Sequence, residues 1–161
     1  MWDFFETVRH RHSVRKYRSD IGVEAEKLHA ILEMACAAPS AGDLQSYRIV
    51  VVKDGQQRAA LAQAAGGQAF IAEAPLCLVF CSDSRRAGQK YGERGRELYA
   101  LQDTTIAATY AQLAVVAAGL ASAWVGAFDE AAVATIVKLE PGLKPLALLS
   151  VGYAAELPEA T

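Results

Sequence analysis

At 161 residues the chain has room for one domain with a genuine core and too little for two ordinary ones. Hydrophobic residues make up 53% and charged residues 21%, which excludes a disordered chain. A net charge of -2 argues against nucleic acid as the main partner, because a phosphate backbone calls for a broad basic surface; any positive site must be local.

Residues 2–11 carry Trp2, Phe5 and Val8 at a spacing of three with Phe4 beside them, which predicts a short amphipathic helix. Two acids, Asp3 and Glu6, precede any basic residue and no long apolar run follows, so the N-terminus does not read as a signal peptide. At the end of that helix stands Arg11-His12-Ser13-Val14-Arg15. Two guanidiniums, an imidazole and a hydroxyl in one window are the inventory for gripping a phosphate ester. Together with Arg9, Lys16 and Arg18 the same charges also fit a solvated face, or a complement to the helix C-terminus.

Residues 23–38 show a helical repeat, with Glu24 and Glu26 early and Pro39 as the stop. Ala38-Pro39-Ser40-Ala41-Gly42-Asp43-Leu44-Gln45 then forms a loop of turn-formers with polar groups, the kind of segment in which binding groups sit. Residues 47–52 are β-branched and aromatic and predict a strand; 53–55 predict a turn and 56–65 a helix, broken by Gly66-Gly67. A short turn over 70–73 leads to an apolar run at 76–81, expected as a central strand buried on both faces. Residues 82–95 gather charges and glycines and read as a surface loop, with a substrate-facing lid as the alternative.

A helix is expected from Arg96 to about Gly119. The most apolar stretch, 106–123, contains Thr109, Tyr110, Gln112 and Ser122 and barely reaches the roughly 17 residues of a membrane span, so it reads as a buried helix. A helix apolar all round must be covered all round, and in so small a protein a second subunit is the expected cover. A short strand or turn over 122–126, a helix capped by Asp129 and a last strand over 146–153 complete the chain. Helices outweigh strands, which places the class as α+β or three-layer α/β, with 1–161 as a single domain. Cys36, Cys77 and Cys81 form no close CxxC pair, so free thiols and a reducing, cytoplasmic setting are expected. No residue is assigned to a metal.

Taken in order, these pieces resemble the nitroreductase family. The matching residues are Arg11 to Arg15, the Ala38 to Gln45 loop, Gln102-Asp103 opening the long helix, Trp124-Val125-Gly126-Ala127-Phe128, and Val151-Gly152-Tyr153. The resemblance implies an α+β homodimer of three α/β/α layers, with a small mixed, mainly antiparallel sheet flanked by helices and FMN at the subunit interface. It implies that Arg11, His12, Ser13 and Arg15 hold the flavin phosphate, ribityl chain and pyrimidine edge. Pro39 and Ser40 come from the partner onto the dimethylbenzene end, and Gln45 closes that loop motif. Asp43 stands where the family usually has an asparagine against the ring. Backbone N–H groups of Gly126 and Ala127 approach flavin N5.

The implied activity passes hydride from NADH or NADPH through flavin N5 to a nitroaromatic, quinone or activated alkene by a ping-pong mechanism. No catalytic side chain is assigned, because the flavin carries the chemistry. Alternatives are a flavin carrier or sensor, a degenerate member without tight cofactor, and a reductive dehalogenase or flavin-cleaving enzyme. Two departures stand out. No Lys or Arg follows Lys144, where relatives commonly carry a basic tail onto the phosphate; each lost charge-assisted bond is worth about 1.5–3 kcal/mol when desolvated. Asp43 can accept from flavin N3–H but cannot donate to a neighbouring carbonyl, and when ionised it disfavours an anionic reduced ring. On their own, Gln102-Asp103 read as a solvated turn of helix, and Arg85 or Arg86 as candidates for a nicotinamide 2'-phosphate or, equally, as loop solubilisers.

Overall fold

Four antiparallel strands form one sheet, β1 (Tyr47–Val52), β2 (Leu76–Asp83), β3 (Ala121–Val125) and β4 (Leu143–Gly152), in the order β1-β2-β4-β3. The computed structural model describes residues 2–155; the end of the chain read above for its lack of cations, 156–161, lies outside the described residues. The sheet is antiparallel throughout, where a mixed, mainly antiparallel one was expected; the only parallel contribution among the described residues is an isolated bridge between Ser13 and Ser122.

Alternation along β2 explains its unbroken burial. Cys77, Val79 and Cys81 face a layer of Leu61, Ala62, Phe70 and Val133, drawn from α3 (Gly55–Ala64), α4 (Phe70–Glu73) and α7 (Glu130–Ile136). Leu76, Leu78 and Phe80 face Leu28, Ile31, Ala108 and Val115 of α2 (Ala25–Cys36) and α6 (Ala100–Ala117). The period-two pattern thus fills two cores from one strand, and the fold has three layers.

Aspartates set where four helices start. Asp3, Asp54, Asp83 and Asp129 each accept from a backbone N–H three residues on, at 2.9–3.2 Å. Asp83 corrects the reading of 82–95 as a loop: β2 runs on through it, and α5 (Ser84–Arg94) follows. The glycines taken for loop formers serve close packing. A Cβ on Gly95 would collide with the Ala87 backbone, and one on Gly88 would lie 2.6 Å from the Arg96 side chain. A wide π turn, Gly95–Tyr99, then carries the chain into α6.

The apolar stretch read as one buried helix is divided, with α6 ending at Ala117 and β3 beginning at Ala121. Nor is α6 covered all round. Ala100, Thr104, Ala107, Ala108, Ala111 and Val115 lie buried, whereas Leu101 and Tyr110 are exposed. Beside them runs α1 (Phe4–His10), whose apolar side points away from the core: Trp2, Phe4, Phe5 and Val8 are all exposed and only Thr7 is buried. Trp2, Phe4, Thr7, Met34 and Tyr110 help frame an apolar groove of about 470 Å³. No helix among the described residues is long and apolar enough to cross a membrane.

Candidate flavin site

The basic segment is laid along the outer edge of β3. Val14 donates its amide to the Ser122 carbonyl at 3.0 Å and buries its side chain, 1% exposed. Because neighbouring residues of an extended segment point to opposite sides, Ser13 and Arg15 are turned outward, and both are exposed. Arg11 is exposed at the end of α1, its amide bonded to the Val8 carbonyl. His12 is half-buried; its Nδ1 lies 2.9 Å from the His10 carbonyl, so the ring is oriented locally and borders a cleft with Val14 and Ser122. Trp2 stacks on His10 at 3.7 Å between ring centroids, closing one wall of that cleft. Gly126 and Ala127, both exposed, continue from β3 four and five residues past Ser122.

The second group of expected site residues is elsewhere. Pro39 is exposed and Ser40 half-buried; the Ser40 hydroxyl accepts from the Gln45 amide at 3.0 Å. Gln45 turns its own amide inward, donating to the Cys36 carbonyl at 2.6 Å. Asp43 is exposed and adopts a left-handed backbone, φ 56°, as do Gly42 (59°) and Gln45 (51°). This loop feeds Tyr47 at the start of β1. Tyr47 pairs with Ser82, which pairs with Lys144, whereas Ser122 pairs with Val151, which pairs with Leu76. The two groups therefore occupy diagonal corners of the sheet, about 14 Å apart across three strand spacings and about 20 Å along the strands. One chain does not bring them together.

A residue whose role the spacing had not revealed lies between loop and helix. Asp103, 3% exposed on α6, accepts from the Ala41 amide at 3.1 Å and from the Ser46 hydroxyl at 2.5 Å. It is no solvated turn. The available signal was its phase, since residues 100, 104, 107 and 111 place position 103 on the buried side of the helix. Arg86 likewise is no loose solubiliser: its Nε donates to the Leu44 carbonyl. Arg85 packs over Gly142. Tyr47, next in line, is held neutral to high pH chiefly by burial, with Cys36 and Asp103 nearby adding to the effect.

The residues suit FMN. Exposed guanidiniums and a hydroxyl at Arg11, Ser13 and Arg15 match a dianionic phosphate, and exposed backbone at Gly126 leaves room for a planar ring, where a Cβ would meet nothing nearer than Trp124 at 3.6 Å. Fold and site together define a three-layer α+β protein with a cationic segment along an edge strand. The profile of the nitroreductase family matches residues 8–69 and 62–153, and the chain belongs to that family.

It is 36% identical over 173 residues to the NADH dehydrogenase of Thermus thermophilus, a match covering 91% of this chain and 84% of that one. It is 33% identical over 87 residues to the FMN reductase [NAD(P)H] of Bacillus subtilis, covering 54% of this chain and only 34% of the longer relative. Among solved structures, NfrA1 of B. megaterium superposes with a TM-score of 0.86 at 30% identity, over 98% of this chain and 69% of that one. Nitroreductase A of Vibrio parahaemolyticus superposes at 0.89 with 28% identity, over the whole of this chain and 71% of the other.

Proposed function

We propose that residues 1–161 act as one nitroreductase-like domain, paired with a second copy, and that the protein is an FMN-dependent oxidoreductase drawing electrons from NADH or NADPH. The observation that carries the reading is the Arg11 to Arg15 segment, pinned along β3 in a chain of this family. Relatives named FMN reductase and NADH dehydrogenase support it. FMN held by this segment would supply the hydride chemistry between the nicotinamide and a nitroaromatic, quinone or activated-alkene acceptor, in a ping-pong order.

The chain contributes binding and electrostatics. Arg11, Ser13 and Arg15 grip the phosphate and ribityl chain with charge-assisted bonds, and His12 closes that wall. The positive charge of Arg15 would also favour the negative charge that a bound flavin gains on reduction. Backbone N–H groups at Gly126 and Ala127 line the reactive edge. No side chain acts as acid or base; positioning two reactants in turn is the protein's part.

Pro39, Ser40, Asp43 and Gln45 serve the site of the other subunit, since their own chain holds them at the opposite corner of the sheet. The exposed face of Trp2, Phe4, Phe5, Val8, Met34 and Tyr110 is the surface on which that second copy sits, because apolar area of this extent on a soluble chain calls for cover. Three free thiols suit work in the cytoplasm.

The test is optical. FMN added to the purified protein is retained through gel filtration, bleaches anaerobically with NADH or NADPH, and regains its yellow colour with benzoquinone. Retention without bleaching by either nicotinamide makes the protein a flavin carrier or sensor, and no retention at all defeats both readings.

A further inference from the structure

The loop Ser40 to Ser46 is held in a conformation it has no local reason to adopt. Three of its residues, Gly42, Asp43 and Gln45, have positive φ, and two of those carry a Cβ that disfavours the left-handed region. Such backbone persists only where the surroundings over-determine it, and such sites gather where function needs a fixed geometry. Three contacts hold this one from outside the loop. Arg86 reaches in from α5 to the Leu44 carbonyl. Lys90 and Tyr91 of the same helix reach over Gly42, where a Cβ would lie 2.9 Å from Lys90 Nζ and closer still to the Tyr91 hydroxyl.

The third and innermost is Asp103. Its two oxygens divide the work: Oδ1 takes the Ala41 amide, just before the left-handed pair, and Oδ2 takes the Ser46 hydroxyl, just after the last left-handed residue. The carboxylate brackets the strained stretch at both ends. Ser46 is 0% exposed and Asp103 3%, so their bond is shielded from bulk water, while the Ala41 bond is part-buried. A buried acid facing an otherwise alanine-rich helix interior is a costly choice unless it is fully bonded. Asp103 is a member of none of the three hydrophobic clusters, the smallest of which packs Ala38, Tyr47 and Ala107 together.

We propose that Asp103 is a positioning residue, fixing the 40–46 loop in the left-handed form in which Pro39, Ser40 and Asp43 meet the flavin of the second subunit. The inference rests on the flavin reading above, and its test separates the two. Asp103→Asn keeps shape but turns an amide N–H₂ toward one of the two donors; Ser46→Ala removes a single hydroxyl and is the milder probe. In the flavin-free protein, hydrogen exchange at the Ala41 and Gln45 amides is expected to quicken at least tenfold in both variants.

In the flavin-loaded protein, both variants are expected to keep FMN while its absorbance bands shift. The KM for benzoquinone rises about tenfold and kcat stays within threefold. The double variant is expected to be no worse than Asp103→Asn alone, because the two residues share one interaction. A lower melting temperature with unchanged amide exchange, unchanged flavin bands and unchanged KM makes Asp103 merely structural and overturns the proposal. If Asp103→Asn does not fold, an unaltered exchange pattern in Ser46→Ala overturns it equally. Failure of the parent protein to retain FMN strikes the flavin reading, while the exchange measurement still decides whether Asp103 sets the loop.

Discussion

Ser13 faces Ser122 across a single parallel bridge, and that pairing decides which side of the edge strand carries the positive charge. With Val14 anchored inward, Ser13 and Arg15 are turned out together and Arg11 stands exposed just before them. Arg11→Ala and Arg15→Ala are each expected to raise the Kd for FMN by about 10- to 100-fold, the range for one charge-assisted bond to phosphate. Melting temperature should hardly move, because neither side chain is part of the core. Fluorescence titration of FMN checks both; affinity within threefold of the parent for both variants sinks the phosphate assignment.

Asp43→Asn tests the residue that departs from the family pattern. The position tolerates either side chain, since asparagine accepts φ near 56° as readily as aspartate does. Removing a negative charge from beside the ring is expected to raise the flavin reduction potential or tighten FMN binding. Potentiometric titration and FMN titration of the pair give the answer, and no change in either rejects a ring contact for Asp43.

The exposed face of α1 predicts an assembly that charge can break. Phe4→Asp with Phe5→Asp leaves the core intact, because both rings are 66% exposed. The double variant is expected to elute as a monomer, to keep its far-ultraviolet circular dichroism and to lose FMN. A parent protein that is monomeric by light scattering at assay concentration contradicts the two-chain site outright.

Thiol chemistry should separate Cys36 from the other two. Cys36 is exposed, whereas burial pushes Cys77 and Cys81 up from 9.0 to about 12. At pH 8 in the native protein a disulfide reagent is expected to leave Cys77 and Cys81 untouched and to reach them only under denaturant. Because both ionise more readily unfolded than folded, the unfolded chain sheds those protons first. Stability is therefore full below about pH 9 and falls as pH rises from 9 towards 12. Urea unfolding at pH 8 and pH 10.5 measures the drop, which should shrink in a Cys77→Ala, Cys81→Ala double variant.

Much of this architecture was legible in the residues. The β-branched run 47–52 is β1 to the residue, and the helix expected over 23–38 is α2, which ends at Cys36, short of Pro39. What eluded sequence reasoning depended on tertiary contact. In 82–95 the glycines looked like breakers, yet Gly88 and Gly95 sit where another segment leaves no space for a Cβ, and the capping bond from Asp83 starts a helix there. The all-antiparallel pairing depends on register between distant strands, which no local pattern carries. At the site, the chemistry of Arg11 to Arg15 could be read from composition, whereas Asp103, though quoted among the family-matching residues, could be given no role, because its two partners lie 57 and 62 residues away.

In the proposed two-chain site, whose halves lie at diagonal corners of a sheet, a lone chain would possess no complete reaction centre. Specific activity should consequently depend on protein concentration, falling on dilution and recovering when excess FMN draws the chains back together. Mixing an Arg11→Ala protein with an Asp103→Asn protein should likewise yield hybrids in which one centre carries both lesions and the other carries neither. A preparation of two defective parents then works better than either.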